Sequence, residues 1–409
     1  MRVDKTVINE LNRQEVLNVI RCNGSISRTD IAHMTGLSVP TVMKIVDSFI
    51  GMGLVCETGK RQSNGGKPPM LLEFVPDAYF CVGIDIGATK ILGIMADCAG
   101  NIAYRYQIPN DSSYSDEEFL AHVADVIHDV LTNSGVARPQ ILGIGVGMPG
   151  LIRSSDSMVV FSPVLHRKDL RLYDYLAERF DLPLMVDSIH RALVFGEKKY
   201  GLCRNSENFV TVNLGYGIGA GLFINGSVYS GSSGFAVEIG HTILNPLGPR
   251  CFCGNRGCLE TLGSALAMTR DAINRIRNNE QTMLTEMVSG KLEKLEAKHI
   301  FEAAKQGDSL ACDIVSNAID YIGMGIANLT NIMDPDYVVI EGGLSLSGDF
   351  LLKPLKEAWR KYRMNYSGRN TRIVLSEFGA DATAIGASAM IFDLLMTKGY
   401  NPKKLLDGE

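Results

Sequence analysis

The most specific chemistry in this sequence sits in one short segment. His241 is followed by Cys251, Cys253 and Cys258, in the spacing His-x9-Cys-x-Cys-x4-Cys. Three thiolates and one imidazole make a closed tetrahedral set, the donors of a structural zinc ion with no position left for water. Gly254, Gly257 and Pro249 let the loop fold around an ion. Buried free thiols beside a core histidine are the alternative, but three of the chain's nine cysteines falling within eight residues favours Zn2+. The other six are scattered and read as ordinary thiols.

Two glycine-rich turns could approach a ligand closely. Asp85-Ile-Gly87-Ala-Thr89-Lys90 follows an apolar strand. The Gly87 amide, the Thr89 hydroxyl and Lys90 could cradle a phosphate there. In Gly215-Tyr-Gly217-Ile-Gly219-Ala-Gly221, the glycines permit close backbone approach. Each is equally well read as a tight hairpin turn.

A third constellation lies near the N-terminus. Ile26-x4-Ile31-x5-Leu37-x4-Val42-x2-Ile45 has helix-turn-helix spacing, with Gly36 at the turn. Ser38, Val39, Thr41, Met43 and Lys44 would face a major groove. Arg28 belongs to the same basic surface. Lys60, Arg61 and Lys67, in the loop Gly59–Lys67, form a basic wing that could reach phosphates or a minor groove. A protein-interaction module could share the fold, but the wing favours double-stranded DNA. One chain offers only about five to eight phosphate contacts, so a homodimer reading two half-sites is expected, with a homotetramer open.

These residues must be positioned by recognisable elements. Asn12–Arg21 has a helical apolar pattern, Ser27 and Ser38 are N-caps, and Gly51 and Gly53 break the third helix. Leu54–Glu57 and Met70–Phe74 read as paired strands. The Pro68-Pro69 pair sets a boundary near residue 75. Beyond it, apolar strands at Phe80–Ile84, Ile91–Ala96, Ile141–Val146, Leu184–Val186, Phe209–Leu214 and Tyr337–Ile340 partly alternate with helices at Asp116–Leu131 and Leu310–Ile332. The pattern predicts α/β structure in two lobes with a cleft between them. The expected division is residues 1–75, 76–190 and 191–409, with the zinc motif and a dimerisation surface in the last.

Composition narrows the function. The chain has 409 residues, 46% hydrophobic and 21% charged, enough for a real core. Its net charge of -5 excludes an overall basic protein, yet the first 75 residues carry nine Lys/Arg against seven Asp/Glu. One Trp and 7% aromatic residues argue against a carbohydrate-stacking or single-strand-binding surface. The polar start and the lack of any run near the ~18 apolar residues of a membrane span lead to the expectation of a cytoplasmic protein with no membrane partner.

Together, DIGATK, the EIGH segment at Glu238–His241 and CFCGNRGCLE at 251–260 resemble the ROK family of repressors, open reading frames and sugar kinases. The EGG turn at 341–343 and DATAIGAS at 381–388 fit its adenosine-side elements. The N-terminal module resembles the family's repressor branch, which includes N-acetylglucosamine- and xylose-responsive regulators. The resemblance implies a winged helix-turn-helix followed by a two-lobed actin-like, hexokinase-type (ribonuclease H-like) ATPase fold. It implies that Glu238, His241 and Glu260 face sugar hydroxyls, with one imidazole nitrogen of His241 on zinc. Asp85 and Thr89 would lie on the phosphate side.

The departures from that pattern are informative. Kinases of the family carry Asn-Asp after a Leu-Pro strand, the Asp being the general base. Counting from Pro183, or back from Gly196-Glu197, places Ser188 and Ile189 there. Isoleucine cannot accept a proton, and loss of a general base removes about 10^2–10^4 in rate. Asp187 would substitute only if the strand slipped. His190 and Arg191 replace small residues and would fill or recharge the pocket, and Tyr216 stands where kinases commonly have Thr. The reading is a transcriptional regulator, a repressor of carbohydrate-utilisation genes that is not an enzyme and senses a small-molecule carbohydrate effector. Alternatives are a sugar kinase with a fused DNA-binding domain, or a scaffold sequestered by a partner protein.

Overall fold

A computed structural model of the protein describes residues 5–60, 69–153, 156–366 and 370–397. The N-terminal module runs α1 (Lys5–Asn23), β1 (Ile26–Ser27), α2 (Arg28–Thr35), α3 (Val39–Met52), β2 (Val55–Lys60) and β3 (Met70–Phe74), with sheet order β1-β3-β2. Ser27 and Ser38 cap α2 and α3 by accepting the amides of Asp30 and Thr41. These side chains satisfy donors that a helix start leaves open. Gly51 does not end α3, which continues to Met52. Gly53 ends it in the left-handed conformation at φ 80°. Val16, Ile20, Ile31, Val42, Val46 and Leu72 are fully buried, each worth about 1.5–3 kcal/mol of apolar burial.

That core does not stop at the module. It continues into Tyr79, Cys81, Leu142, Ile391 and Phe392. The Tyr79 hydroxyl also donates to the carbonyl of Met52 at 2.7 Å. The winged helix is therefore docked on the body through shared apolar surface.

The first lobe contains β4 (Phe80–Ile86), β5 (Lys90–Asp97), β6 (Ile102–Pro109), α4 (Asp116–Asn133) and β7 (Ile141–Met148). A small sheet follows from β8 (Leu151–Arg153), β9 (Met158–Ser162) and β10 (Arg167–Leu170), then α5 (Leu172–Ala177), β11 (Leu184–Ser188) and α6 (Ile189–Lys199). Its main sheet is ordered β11-β7-β4-β5-β6, an antiparallel meander extended by two parallel strands.

The second lobe begins with β12 (Phe209–Leu214), β13 (Ile218–Ile224) and β14 (Ser227–Val228). It continues through α7 (Leu259–Gly263), α8 (Ala265–Arg277), α9 (Leu284–Met287), α10 (Ala297–Lys305) and α11 (Ser309–Met333). After these come β15 (Tyr337–Glu341), α12 (Asp349–Tyr362), β16 (Arg372–Leu375) and α13 (Ala382–Thr397). Its order, β14-β13-β12-β15-β16, repeats the first lobe's pattern of three antiparallel and two parallel strands. α11 is long and apolar enough to cross a membrane, contrary to the expectation from the sequence, but most of its apolar window is packed inside this lobe.

The chain does not divide cleanly at residue 190. α13 returns to pack on β4 and β7 of the first lobe and along α6. The approach is backbone to backbone: a Cβ on Gly386 of α13 would lie 2.1 Å from the carbonyl oxygen of Ala192 in α6. A contiguous third segment of 191–409 thus includes a helix that belongs to the first lobe's core.

Candidate functional site

Residues 241–258 fold as an irregular hairpin, with isolated bridges Ile243–Cys258 and Arg250–Arg256. Gly257, at φ 65°, lies so close to Asn245 that a Cβ would overlap its carbonyl oxygen at 1.5 Å. The closeness brings the ligand atoms of His241, Cys251, Cys253 and Cys258 within 4.8 Å of one another. Cys253 Sγ and Cys258 Sγ are 3.6 Å apart, and Cys251 Sγ is 3.5 Å from His241 Nδ1. Tetrahedral zinc with its usual Zn–S and Zn–N bonds needs ligand separations of roughly 3.5–3.8 Å. The donor set fits that ion. Burial pushes the Cys258 thiol up to about 12, a cost that a bound cation reverses by holding the thiolate.

The other ring nitrogen of His241 faces away from the thiols. Its Nε2 is 4.0 Å from Oε2 of Glu238. Glu260, in the first turn of α7 directly after Cys258, accepts the Ile218 amide at 3.0 Å. Burial raises the Glu260 carboxyl, and burial followed by the charge of Glu260 raises Glu238. Glu238 remains 42% accessible at the cleft mouth. The expected trio thus comes together: two carboxylates that accept from hydroxyls and an imidazole edge whose Nε2–H, with Nδ1 turned to the thiols, donates to an oxygen.

The position expected for a general base is held by Ile189, the first residue of α6, directly after its N-cap Ser188. In β11, Asp187 pairs with Gly147 and Ser188 with Met148 of β7. Asp187 accepts from its neighbour's amide at 2.7 Å and from Arg191 Nε at 2.6 Å. Arg191 fills the pocket but does not recharge it, because Asp187 neutralises it. Its guanidinium donates further to the carbonyls of Gly234 at 2.7 Å and Ile152 at 3.2 Å. It thereby bridges a first-lobe strand and a second-lobe loop. A cavity of about 20 Å³ remains beside Arg191, Tyr229 and Glu238, room for about one water. Burial, with Arg191 adding to it, lowers His190 to about 4, so that ring is neutral where it packs on Gly219.

The phosphate turn differs from expectation. The Gly87 amide donates to the Lys90 carbonyl at 2.8 Å, closing the β4–β5 hairpin, and is not free for a phosphate. The Gly87 carbonyl accepts from Asn110 at 2.7 Å. Thr89 is exposed, and Asp85 is raised to about 6 by burial, with Lys90 opposing and Asp381 reinforcing. At the second turn, the carbonyls of Gly215 and Tyr216 accept the first amides of α8, and Tyr216 stays 47% exposed.

On the DNA-binding module, Ser38, Val39, Met43 and Lys44 lie exposed along α3, with Thr41 half-buried. Arg28 does not join that face. It pairs with Asp47 and Glu57, each at 3.0 Å, and ties α2 to α3 and β2. Lys60 ends β2, and Arg61 and Lys67 lie outside the described residues. Replacing Lys44 by Ala is expected to weaken DNA binding about equally for all sequences. The slope of log K against log salt should fall by about 0.9 per chain, and fluorescence anisotropy at several salt concentrations measures it.

A profile of the ROK family matches residues 81–393, and one of winged helix-turn-helix DNA-binding domains matches residues 10–55. The chain is 30% identical over 393 residues to the xylose repressor of Bacillus subtilis, covering 95% of this chain and 97% of that one. It is 32% identical over 311 residues to a glucokinase of Halalkalibacterium halodurans, covering 76% and 94%. Among solved structures, a ROK-family transcriptional regulator, a homologue of the Escherichia coli MLC protein, superposes with TM-score 0.81 at 26% identity. That match covers 98% of this chain and 100% of that one. A ROK glucokinase from Streptomyces griseus, in complex with glucose and AMPPNP, superposes with TM-score 0.68 at 28% identity, covering 76% and 98%.

Proposed function

The chain belongs to the ROK family, and from that premise we propose that it is a sugar-responsive DNA-binding repressor of carbohydrate-utilisation genes. The carrying observation is the end-to-end match to a xylose repressor, winged helix included, where the glucokinase match covers only 76% of this chain. Glu238 and Glu260 accept hydrogen bonds from sugar hydroxyls, and the Nε2–H edge of His241, left protonated when Nδ1 holds the ion, donates one. Such a site rejects analogues lacking those hydroxyls, because its own polar groups would then be left unpaired. His241, Cys251, Cys253 and Cys258 hold Zn2+, which cross-links the loop and orients the imidazole.

The cleft is a sensor and not a kinase site. Ile189 stands where the base would act, and Asp187 is engaged by Arg191. The cavity beside Arg191 has room for about one water, and a sugar bound at Glu238, Glu260 and His241 shifts the segments around it. That gives the effector the differential contact with two states that regulation requires. The DNA-bound form is a homodimer or homotetramer reading a two-fold symmetric operator.

The test is selection of genomic DNA fragments by the purified protein at near-physiological salt, followed by release with a panel of pentoses and hexoses. A two-fold symmetric site released by one sugar is expected, and Glu238→Ala and Glu260→Ala should each retain the site but lose the release. Unchanged release in both variants would remove the cleft as sensor. Absence of any enriched site would remove the repressor reading itself.

A further inference from the structure

One helix touches both the cleft and the DNA-binding module. At the N-terminal end of α6, Arg191 is bonded to Asp187, to Ile152 of the first lobe and to Gly234 of the second. At its C-terminal end, the Lys199 carbonyl accepts from the guanidinium of Arg21 in the last turn of α1, at 2.9 Å. The same guanidinium lies over the ring of Tyr200, 5.1 Å from its centroid, and over Phe74 of β3 at 5.6 Å. Lys199 also pairs with Asp393 of α13, which accepts from Gln14 of α1 at 3.2 Å.

Between these ends, α6 has little freedom to bend. Its 11 residues span about 16 Å. Ala192, Leu193, Val194, Gly196 and Glu197 are buried. Glycines seat its backbone on both sides: a Cβ on Gly221 of β13 would lie 2.4 Å from the His190 carbonyl oxygen, and Gly386 of α13 lies against Ala192. A helix held in this way shifts or turns as a unit, because a close-packed interior switches between arrangements and does not deform continuously.

We infer that α6 is the mechanical link between cleft and DNA-binding module, with Arg191 as a latch across both lobes and Arg21 as the module's grip on the far end. Withdrawing Arg191 from Gly234 and Ile152 frees the first turn of α6, and the displacement is delivered to α1 through Lys199 and Tyr200. Both are positioning residues. The inference rests on the proposed sensor cleft only for what draws the latch. The coupling itself belongs to the ligand-free chain, where it is testable without an effector.

Hydrogen exchange of the full-length protein read by mass spectrometry provides that test, in Arg191→Ala, Arg191→Lys and Arg21→Ala. Arg191→Ala is expected to speed exchange about tenfold in residues 17–23 and 199–204, beyond its local effect at 187–192 and 230–238. Because coupling is reciprocal, Arg21→Ala should speed exchange at 230–238, where it makes no contact. Arg191→Lys keeps the charge but not the three-way fork and should give the same pattern at smaller size, which also serves if the alanine variant does not fold. Changes confined to each variant's own neighbourhood, with native melting curves, overturn the link. They would leave the sugar-release test of the cleft untouched.

Discussion

Replacing Cys258 by Ser is expected to strip the protein of one equivalent of zinc and to lower its melting temperature by at least about 5 °C. Structural zinc sites carry folding free energy of about 10 kcal/mol or more in isolated modules, and even about 3 kcal/mol retained here produces that shift in a domain of this size. Cys258 is fully buried and is the N-cap residue of α7, whose first turn holds Glu260. Losing the ion therefore displaces a proposed sugar contact as well as the hairpin. Sugar-dependent release from DNA should vanish together with the metal. Cys312→Ser, at an exposed thiol on α11, should change neither metal content nor melting. Elemental analysis and calorimetry decide the matter: one equivalent of zinc with a native melt in Cys258→Ser would refute the site.

Incubated with ATP, Mg2+ and a panel of sugars, the protein is expected to form sugar phosphate at least about 10^2–10^4 more slowly than a kinase with an intact general base. Ile189 offers no proton acceptor. The carboxylate two residues before it, Asp187, is engaged by Arg191 and by the Ser188 amide. Coupled-enzyme assay of ADP release, with sugar phosphate measured in parallel, checks the rate. Sugar-dependent turnover abolished by Asp187→Asn would show that the carboxylate acts as base after all, and the sensor reading of the cleft would give way to a kinase.

Some of this molecule is legible in the chain because its determinants are local. The four potential metal ligands fall within one 18-residue segment, so their spacing announces the donor set before any fold is known. Ser27, Gly36 and Ser38 likewise carry their capping roles in their own residue types. Counting between two anchors places Ile189 where kinases of the family carry their base, and the structure sets that residue at the first position of α6, directly after Ser188. What fails is inference from residue type to free valence. Gly87 looks like a phosphate cradle, yet the hairpin it belongs to takes its amide. Arg28 looks like a DNA contact, yet two carboxylates, 19 and 29 residues away in sequence, claim it.

By itself, then, the sequence determined the building blocks whose physics is short-ranged: the His/Cys loop, the helix caps, the alternation of strands and helices, and an isoleucine, which can take no proton, directly after Ser188. Tertiary structure alone decided how they are joined. The two lobes share a strand order that no residue repeat betrays, because topology is fixed by pairing and not by side-chain identity. Arg191 is fixed by peptide carbonyls 39 and 43 residues away, and a carbonyl is the same at every position, so nothing in the sequence marks it. The return of α13 to the first lobe, and the core shared with the winged helix, arise for the same reason. Burial rewards whichever apolar faces meet, and which faces meet is settled only when the whole chain has folded.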